Sequence, residues 1–309
     1  MDVNTIEASK DTFEAEFLHI FNVASGAQPI MLFHPTLSRL KFLLPRPLLL
    51  AVDANIAQLL KLGQFAVDCI KNYHRNKNEK GHAKFDHPVI FDSLEDRTDA
   101  HKGSIAAEFL VAGSDTSALT ITYALYYITA NPTIREKLMK ELLEVMPTAD
   151  TNPTLNQLEQ LPYLTGVVKE CLRMACPVPG RLPRIVPNDK PLIVDGKVVP
   201  PGTLVGMSAY NMHFSESLWG PDVNEFNPDR WLGASGRGLD HWLAPFSKGS
   251  RACIGQNLAT AEIYMAVACL FRRFNFSLPP GAKLGDKCDH FTVFLSQPGL
   301  PLSCKPKLK

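Results

Sequence analysis

Phe246-Ser-Lys-Gly249-Ser-Arg251-Ala-Cys253-Ile-Gly255 is the stretch from which the rest of the chain is read. It has the form F-x-x-G-x-R-x-C-x-G, and an apolar run with helical spacing begins directly after it. At a typical usage of about 5% for each fixed letter, a chance match in a chain of this length has a probability of roughly one in ten thousand, so the spacing is a signal. A thiol binds metal as thiolate, and delivering Cys253 to the start of a helix favours the anion through the helix dipole and nearby amide N–H groups. Arg251 adds positive charge. Gly249 permits a positive φ in a tight turn, and Gly255 lets the following helix lie close to a flat partner with no Cβ in the way. Phe246 is placed to wall off one side of the sulfur. A single Cys without a second Cys or His at zinc-like spacing argues against a structural zinc site, whereas one axial thiolate is what a haem iron takes from a protein. The bland alternative is a buried free cysteine in an ordinary loop.

Composition bounds the rest. At 309 residues the chain can bury a large core, in one large domain or two modest ones. The net charge of +1 gives no reason to expect a nucleic-acid partner. The start at Met1 is polar and acidic, so no secretory signal is read there. The seven cysteines are scattered, odd in number and without framework spacing, which predicts no disulfides and a reducing compartment. Many of the 24 prolines fall between 177 and 245, where irregular structure and short strands are expected.

Taken in order, 11–25 predicts an amphipathic helix from Phe13, Phe17, Ile20 and Phe21. Residues 30–52 are the most apolar, but Pro35, Pro45, Pro47, Arg39, Lys41 and Arg46 interrupt them, so they read as an interfacial or packing segment and not as a membrane span. A helix is predicted over 52–76, ended by a polar loop at 74–87. Residues 103–130 form a long apolar helix that contains Ala112-Gly113-Ser114-Asp115-Thr116-Ser117. There Gly113 allows close approach, and Thr116 can bond back to the Ala112 carbonyl and open the turn; a small-residue helix contact is the alternative. Asn131-Pro132 closes that helix and starts the next, to Val145, and another helix runs to Met174 with Glu170 and Arg173 at i and i+3. Short strands are expected near 192–194, 197–199 and 203–207, a meandering loop over 219–238, a helix after Cys253 and a terminal hairpin over 275–304.

Four of these stretches resemble motifs of the cytochrome P450 family: the cysteine loop, the Ala112–Ser117 run, Glu170-Cys-Leu-Arg173, and Phe226-Asn-Pro-Asp-Arg230-Trp231. The resemblance implies a mainly α fold with a small β portion, P450-like and incomplete at its N-terminal side. It implies a single incomplete domain over 1–309, with substrate-roof helices in 1–80, the long oxygen-binding helix in 100–130, the haem-binding core in 155–275 and the hairpin in 276–309. It makes Cys253 the axial ligand of haem b, iron protoporphyrin IX, with Phe246, Gly249, Arg251 and Gly255 around it. Arg184 and Arg251 would hold the propionates, with Arg181 a weaker candidate, and a surface charge is the alternative for either arginine. Ala112 and Gly113 would line the oxygen side, and Asp115 and Thr116 would relay protons there. Glu170, Arg173 and Arg230 would form a buried ion triad behind the cysteine loop.

The implied activity is that of a fungal-type haem-thiolate monooxygenase on a lipophilic small molecule, using O2 and electrons from an NADPH-dependent reductase, since no flavin or dinucleotide motif is present. The alternatives are a catalytically inactive truncated fragment with a structural or residual haem-binding role, and a family member that rearranges peroxides. Intact relatives sit at the endoplasmic reticulum membrane. Without an anchor this chain is expected to be cytoplasmic or peripheral, touching a membrane through 30–52. None of Trp219, Trp231 and Trp242 lies in the tryptophan-bearing helix that normally contacts the propionates, so one wall of the haem crevice is expected to be missing and haem to be held weakly.

Overall fold

The computed structural model describes residues 43–52, 54–79, 89–234, 236–296 and 299–307, together with Thr36, Arg39 and Leu40. The helix expected over 11–25 and most of the 30–52 segment lie outside the described residues. The helices are α1 (Arg46–Val52), α2 (Ala54–Glu79), α3 (Asp99–Ala130), α4 (Pro132–Val145), α5 (Leu155–Glu159), α6 (Pro162–Ala175), α7 (Ala209–His213), α8 (Glu216–Trp219), α9 (Leu239–Trp242) and α10 (Gln256–Arg273). The strands are short: β1 (Arg184–Ile185), β2 (Leu192–Val194), β3 (Lys197–Val199), β4 (Leu204–Val205), β5 (Phe274–Ser277), β6 (Lys287–His290), β7 (Thr292–Leu295) and β8 (Ser303–Pro306). The fold is mainly α with a small β portion, as the sequence predicts. Among the described residues no helix is long and apolar enough to cross a membrane.

The chain divides into two compact units, 1–114 and 115–309, and α3 runs from one into the other. In the first, α2 buries Ile56, Ala66, Ile70 and Tyr73 on one stripe, while Leu60 of the same apolar pattern points to solvent. The Tyr73 hydroxyl donates to Asp92 Oδ1 at 2.7 Å, which ties α2 to the 3-10 turn at Ile90–Leu94. The helix expected over 52–76, with the polar run 74–87 ending it as a loop, continues into that run as far as Glu79. Asn, Lys and Glu are all compatible with a helix interior.

The second unit holds the main core. Leu138 and Leu142 of α4, Leu164, Val167 and Cys171 of α6, and Val267 and Ala268 of α10 are fully buried together with Ala124 and Ile128 of α3. Each large apolar side chain moved out of water there contributes about 1.5–3 kcal/mol before entropy is counted. The α3–α4 corner is sharp because Asn131 Oδ1 accepts from the N–H groups of Thr133 and Ile134, at 3.1 and 3.3 Å, with Pro132 at the first helical position. At the far end of α10, Arg272 Nε donates to the Met146 carbonyl at 2.6 Å and Arg273 Nε to that of Ala149 at 3.0 Å, fixing α10 against the end of α4.

The strands form four separate antiparallel pairs, β1–β4, β2–β3, β5–β8 and β6–β7. The expected 203–207 strand shrinks to two residues. The terminal segment is not the single expected hairpin: β6–β7 is a hairpin inserted between the paired strands β5 and β8. Gly281 and Gly285 mark the departure from β5, and an added Cβ at Gly285 would run into the Ser296 backbone.

Candidate functional site

The cysteine loop is held by its own backbone. Ser247 N–H donates to the Ala244 carbonyl at 3.2 Å, Ala252 N–H to Gly249 at 3.0 Å, and Cys253 N–H to Phe246 at 2.8 Å. Gly249 has φ of +80° and Ser247 +59°, so the loop turns twice through left-handed backbone, and the glycine at 249 is conformationally required. Phe246 packs on the core. Cys253 follows the 3-10 turn Gly249–Arg251 and stands two residues before Gly255, the N-cap of α10, where no side chain caps the free amides. An added Cβ at Gly255 would meet only Cys253 Sγ, at 3.8 Å, so no protein atom among the described residues requires a glycine there.

Cys253 is exposed, and Ile254 next to it in the chain and Leu258 in the first turn of α10 are 89% and 65% exposed. Large apolar side chains bared near a cysteine at a helix start suit a flat apolar group that takes one axial sulfur ligand. Among the described residues no group of three or more His, Cys, Asp or Glu side chains could hold a metal ion. Other cysteines suit axial ligation less. Burial pushes the Cys171 thiol well up and that of Cys176 to about 12. These residues therefore fit haem with thiolate ligation.

Asp115 and Thr116 lie half-buried on α3, and Ala112 and Gly113 are exposed one turn earlier. The helix runs unbroken through this motif. Hydroxyls along α3 bond back to carbonyls one turn earlier, among them Ser104 to Ala100 at 3.2 Å, Ser114 to Leu110 at 2.8 Å, Thr120 to Thr116 at 2.9 Å and Thr122 to Ala118 at 2.8 Å. Ser117, buried next to Thr116, donates from Oγ to Glu262 Oε2 on α10 at 3.1 Å. The helix that carries the oxygen-side motif is thus tied, at Ser117, to the helix that follows the cysteine.

Glu170, Arg173 and Arg230 are brought together, with exposures of 0%, 0% and 8%. Arg173 holds Glu170 with both ends of its fork, Nη2 to Oε1 at 2.7 Å and Nε to Oε2 at 3.0 Å. Arg230 Nε adds a bond to Oε1 at 3.1 Å, the Asn227 N–H another at 3.1 Å, and the Trp231 indole N–H one to Oε2 at 2.9 Å. The remaining donors of Arg173 reach the carbonyls of His213, Val223 and Glu225, and those of Arg230 reach Trp219 and Asp222. The Asn227 side-chain bond, and then Arg230, lower the pKa of the Asp222 carboxyl. The α6 helix approaches the 3-10 turn Pro228–Trp231 closely enough that a Cβ on Gly166 would come within 2.8 Å of the Pro228 carbonyl.

Arg251 and Arg184 are both exposed. Arg184 lies on β1, its Nη1 folded back on the carbonyls of Leu182 and Pro183 at 3.3 and 3.0 Å, and Arg181 forms an isolated bridge with Ser208. Sequence reasoning missed three participants. Trp231 is read with Arg230 as the end of the Phe226–Trp231 motif, without a role of its own. His213 is fully buried, accepts from the Ala244 N–H just ahead of the cysteine loop, and has no motif around it. Lys287 of β6 lies over the rings of Phe214, Tyr123 and Tyr210 at 4.9, 5.1 and 5.9 Å and donates to the Met174 carbonyl, and burial lowers its pKa to about 8.

The family model described as Cytochrome P450 matches residues 28–304. The cytochrome P450 monooxygenase macH of Penicillium terrestre is 44% identical over 185 residues, covering 59% of this chain and 36% of that relative. The cytochrome P450 monooxygenase claJ of Penicillium crustosum is 34% identical over 256 residues, covering 79% of this chain and 57% of that relative. Among solved structures, the crystal structure of a cytochrome P450 (CYP102L1) aligns with a TM-score of 0.70 at 25% identity, covering 82% of this chain and 57% of that chain. The chain thus spans about a third to somewhat over half of the proteins it matches, in keeping with an incomplete form of that fold.

Proposed function

Because the chain belongs to the cytochrome P450 family, we propose that it serves as a haem-thiolate monooxygenase placing one oxygen atom from O2 into a lipophilic small molecule, in fungal secondary metabolism. The observation that carries this reading is the exposed Cys253 at the start of α10, with the bared side chains of Ile254 next to it in the chain and Leu258 in the first turn of the helix. Haem b, when bound, supplies the activation of dioxygen that no side chain provides.

The chain's own residues do the rest. With haem bound, Cys253 would supply its sulfur ligand, Phe246 would shield one flank, and Ile254 and Leu258 would exclude water from the ligand's surroundings. Arg251 and Arg184 offer exposed guanidinium groups to propionate carboxylates. Asp115 and Thr116 hold and pass protons from one turn of α3, and the Ser117–Glu262 bond fixes the rotation of that turn. The Glu170–Arg173–Arg230 cluster holds the 213–231 segment rigid. Electrons come from a reductase that uses NADPH. The setting is the endoplasmic reticulum membrane of intact relatives, with residues 30–52 meeting the bilayer.

Protein loaded with haem and supplied with NADPH, a reductase and isotopically heavy O2 tests this reading on a panel of lipophilic substrates. One heavy oxygen atom per product molecule, with matching NADPH consumption, is expected. Turnover that needs neither NADPH nor O2, or no turnover at full haem occupancy, would overturn it.

A further inference from the structure

We propose that His213 is a positioning residue for the cysteine loop, its buried imidazole holding the loop's entry while its main chain is held by the ion triad. The role in catalysis rests on the reading of Cys253 as the haem ligand; the geometry stands without it.

His213 ends α7 and is fully buried. Its Nε2 accepts the N–H of Ala244 at 2.9 Å, across 31 residues of chain, so the lone pair is on Nε2 and the proton on Nδ1. Its own carbonyl accepts from Arg173 Nη1 at 2.9 Å. One residue therefore touches the triad through its main chain and the loop through its side chain. Downstream of Ala244 the connection is short and stiff. Pro245 fixes its own φ, the Ala244 carbonyl takes the Ser247 N–H at 3.2 Å, and the Phe246 carbonyl takes the Cys253 N–H at 2.8 Å. A shift at Ala244 is thus passed through Phe246 to the amide of Cys253.

A filler role does not explain the imidazole. Nδ1 is buried without a hydrogen-bond partner, and leaving such a donor unsatisfied costs about 1–3 kcal/mol, a cost that leucine or phenylalanine would avoid. What an apolar residue cannot supply is the acceptor for Ala244. The surroundings keep that acceptor neutral. The Trp219 ring meets the imidazole edge-on at 6.4 Å between centroids, and the cations Arg173, Lys287 and Lys248 add to the burial that lowers its pKa to about 4.

The test uses the full chain without haem, read by residue-resolved amide hydrogen exchange. His213→Leu removes the acceptor and keeps apolar volume, His213→Gln keeps an acceptor at similar reach, and His213→Asn keeps polarity but falls short. Exchange at Cys253 is expected to rise ten-fold or more in the leucine and asparagine variants, and to stay within about three-fold of wild type in the glutamine variant, with Val267 of α10 unchanged in all. If the leucine variant loses protection at Val267 too, the glutamine–asparagine pair decides. Faster exchange at Ala244 with no change at Cys253, or equal Cys253 protection in the glutamine and asparagine variants, would overturn the proposal. Because haem is left out, failure of the haem reading leaves this result untouched, and the reverse holds for the oxygen-labelling test.

Discussion

Replacing Glu170 by alanine removes the one carboxylate that faces two buried guanidinium groups. Its two oxygens accept bonds from Arg173, Arg230, Trp231 and the Asn227 main chain, and the two guanidinium groups among these donors are buried away from water. Breaking a buried pair from one side costs about 3–5 kcal/mol, because the remaining charge stays desolvated. Arg173 retains the carbonyls of His213, Val223 and Glu225, and Arg230 retains Asp222, which places the expected loss near the lower end, at about 3 kcal/mol. With a urea slope of about 2–3 kcal/mol per M, the unfolding midpoint should drop by roughly 1 M or more. The control is Lys137→Ala. That lysine holds Asp229 at 2.7 and 2.8 Å, but both side chains are about half exposed, and such pairs contribute about 0–1 kcal/mol. Equal midpoint shifts in the two variants would refute the reasoning that burial, and not the count of bonds, sets the value of the cluster.

Other outcomes follow from the same geometry. His213 titrates near 4 when folded, mainly through burial, and near 6.5 when unfolded, so the unfolded chain takes up the proton first. Its contribution is therefore whole above pH 6.5, lost progressively down to pH 4 and level below; urea midpoints should fall across that window by an amount equivalent to about 3 kcal/mol, and His213→Gln should remove the slope. Gly166→Ala pushes a Cβ against the Pro228 carbonyl and is expected to cost about 1–3 kcal/mol in thermal or urea unfolding, where the same change at Gly63, which faces open space, should not destabilise. Asn131→Ala removes the cap of α4 and should cost about 1 kcal/mol, with Asn131→Ser restoring most of it.

What the sequence revealed depended on whether a residue's reason lies nearby in the chain. The Cys253 loop and the Asn131-Pro132 corner are local turn and cap chemistry, and both were legible before any coordinates. The ion cluster was half legible: Glu170 and Arg173 share a helix face, but the Asn227 amide and the Trp231 indole join them only through tertiary contact. His213 and Lys287 were invisible because an isolated histidine or lysine carries no periodic signal, and their partners, Ala244 for the histidine and Tyr123 and Phe214 for the lysine, come from distant parts of the chain. The nested β5–β8 and β6–β7 pairing escaped for the same reason, since alternation of residues marks strands and does not choose partners.

The central claim is that Cys253 is an axial haem ligand as thiolate. It is tested most directly by the spectrum of the haem-loaded chain, reduced under carbon monoxide with haem in excess. A thiolate-type Soret band is predicted in the wild-type chain and in Cys269→Ser and Cys304→Ser, and its disappearance in Cys253→Ser. A thiolate-type band that survives in Cys253→Ser, or haem bound to the wild-type chain without one, would contradict the account.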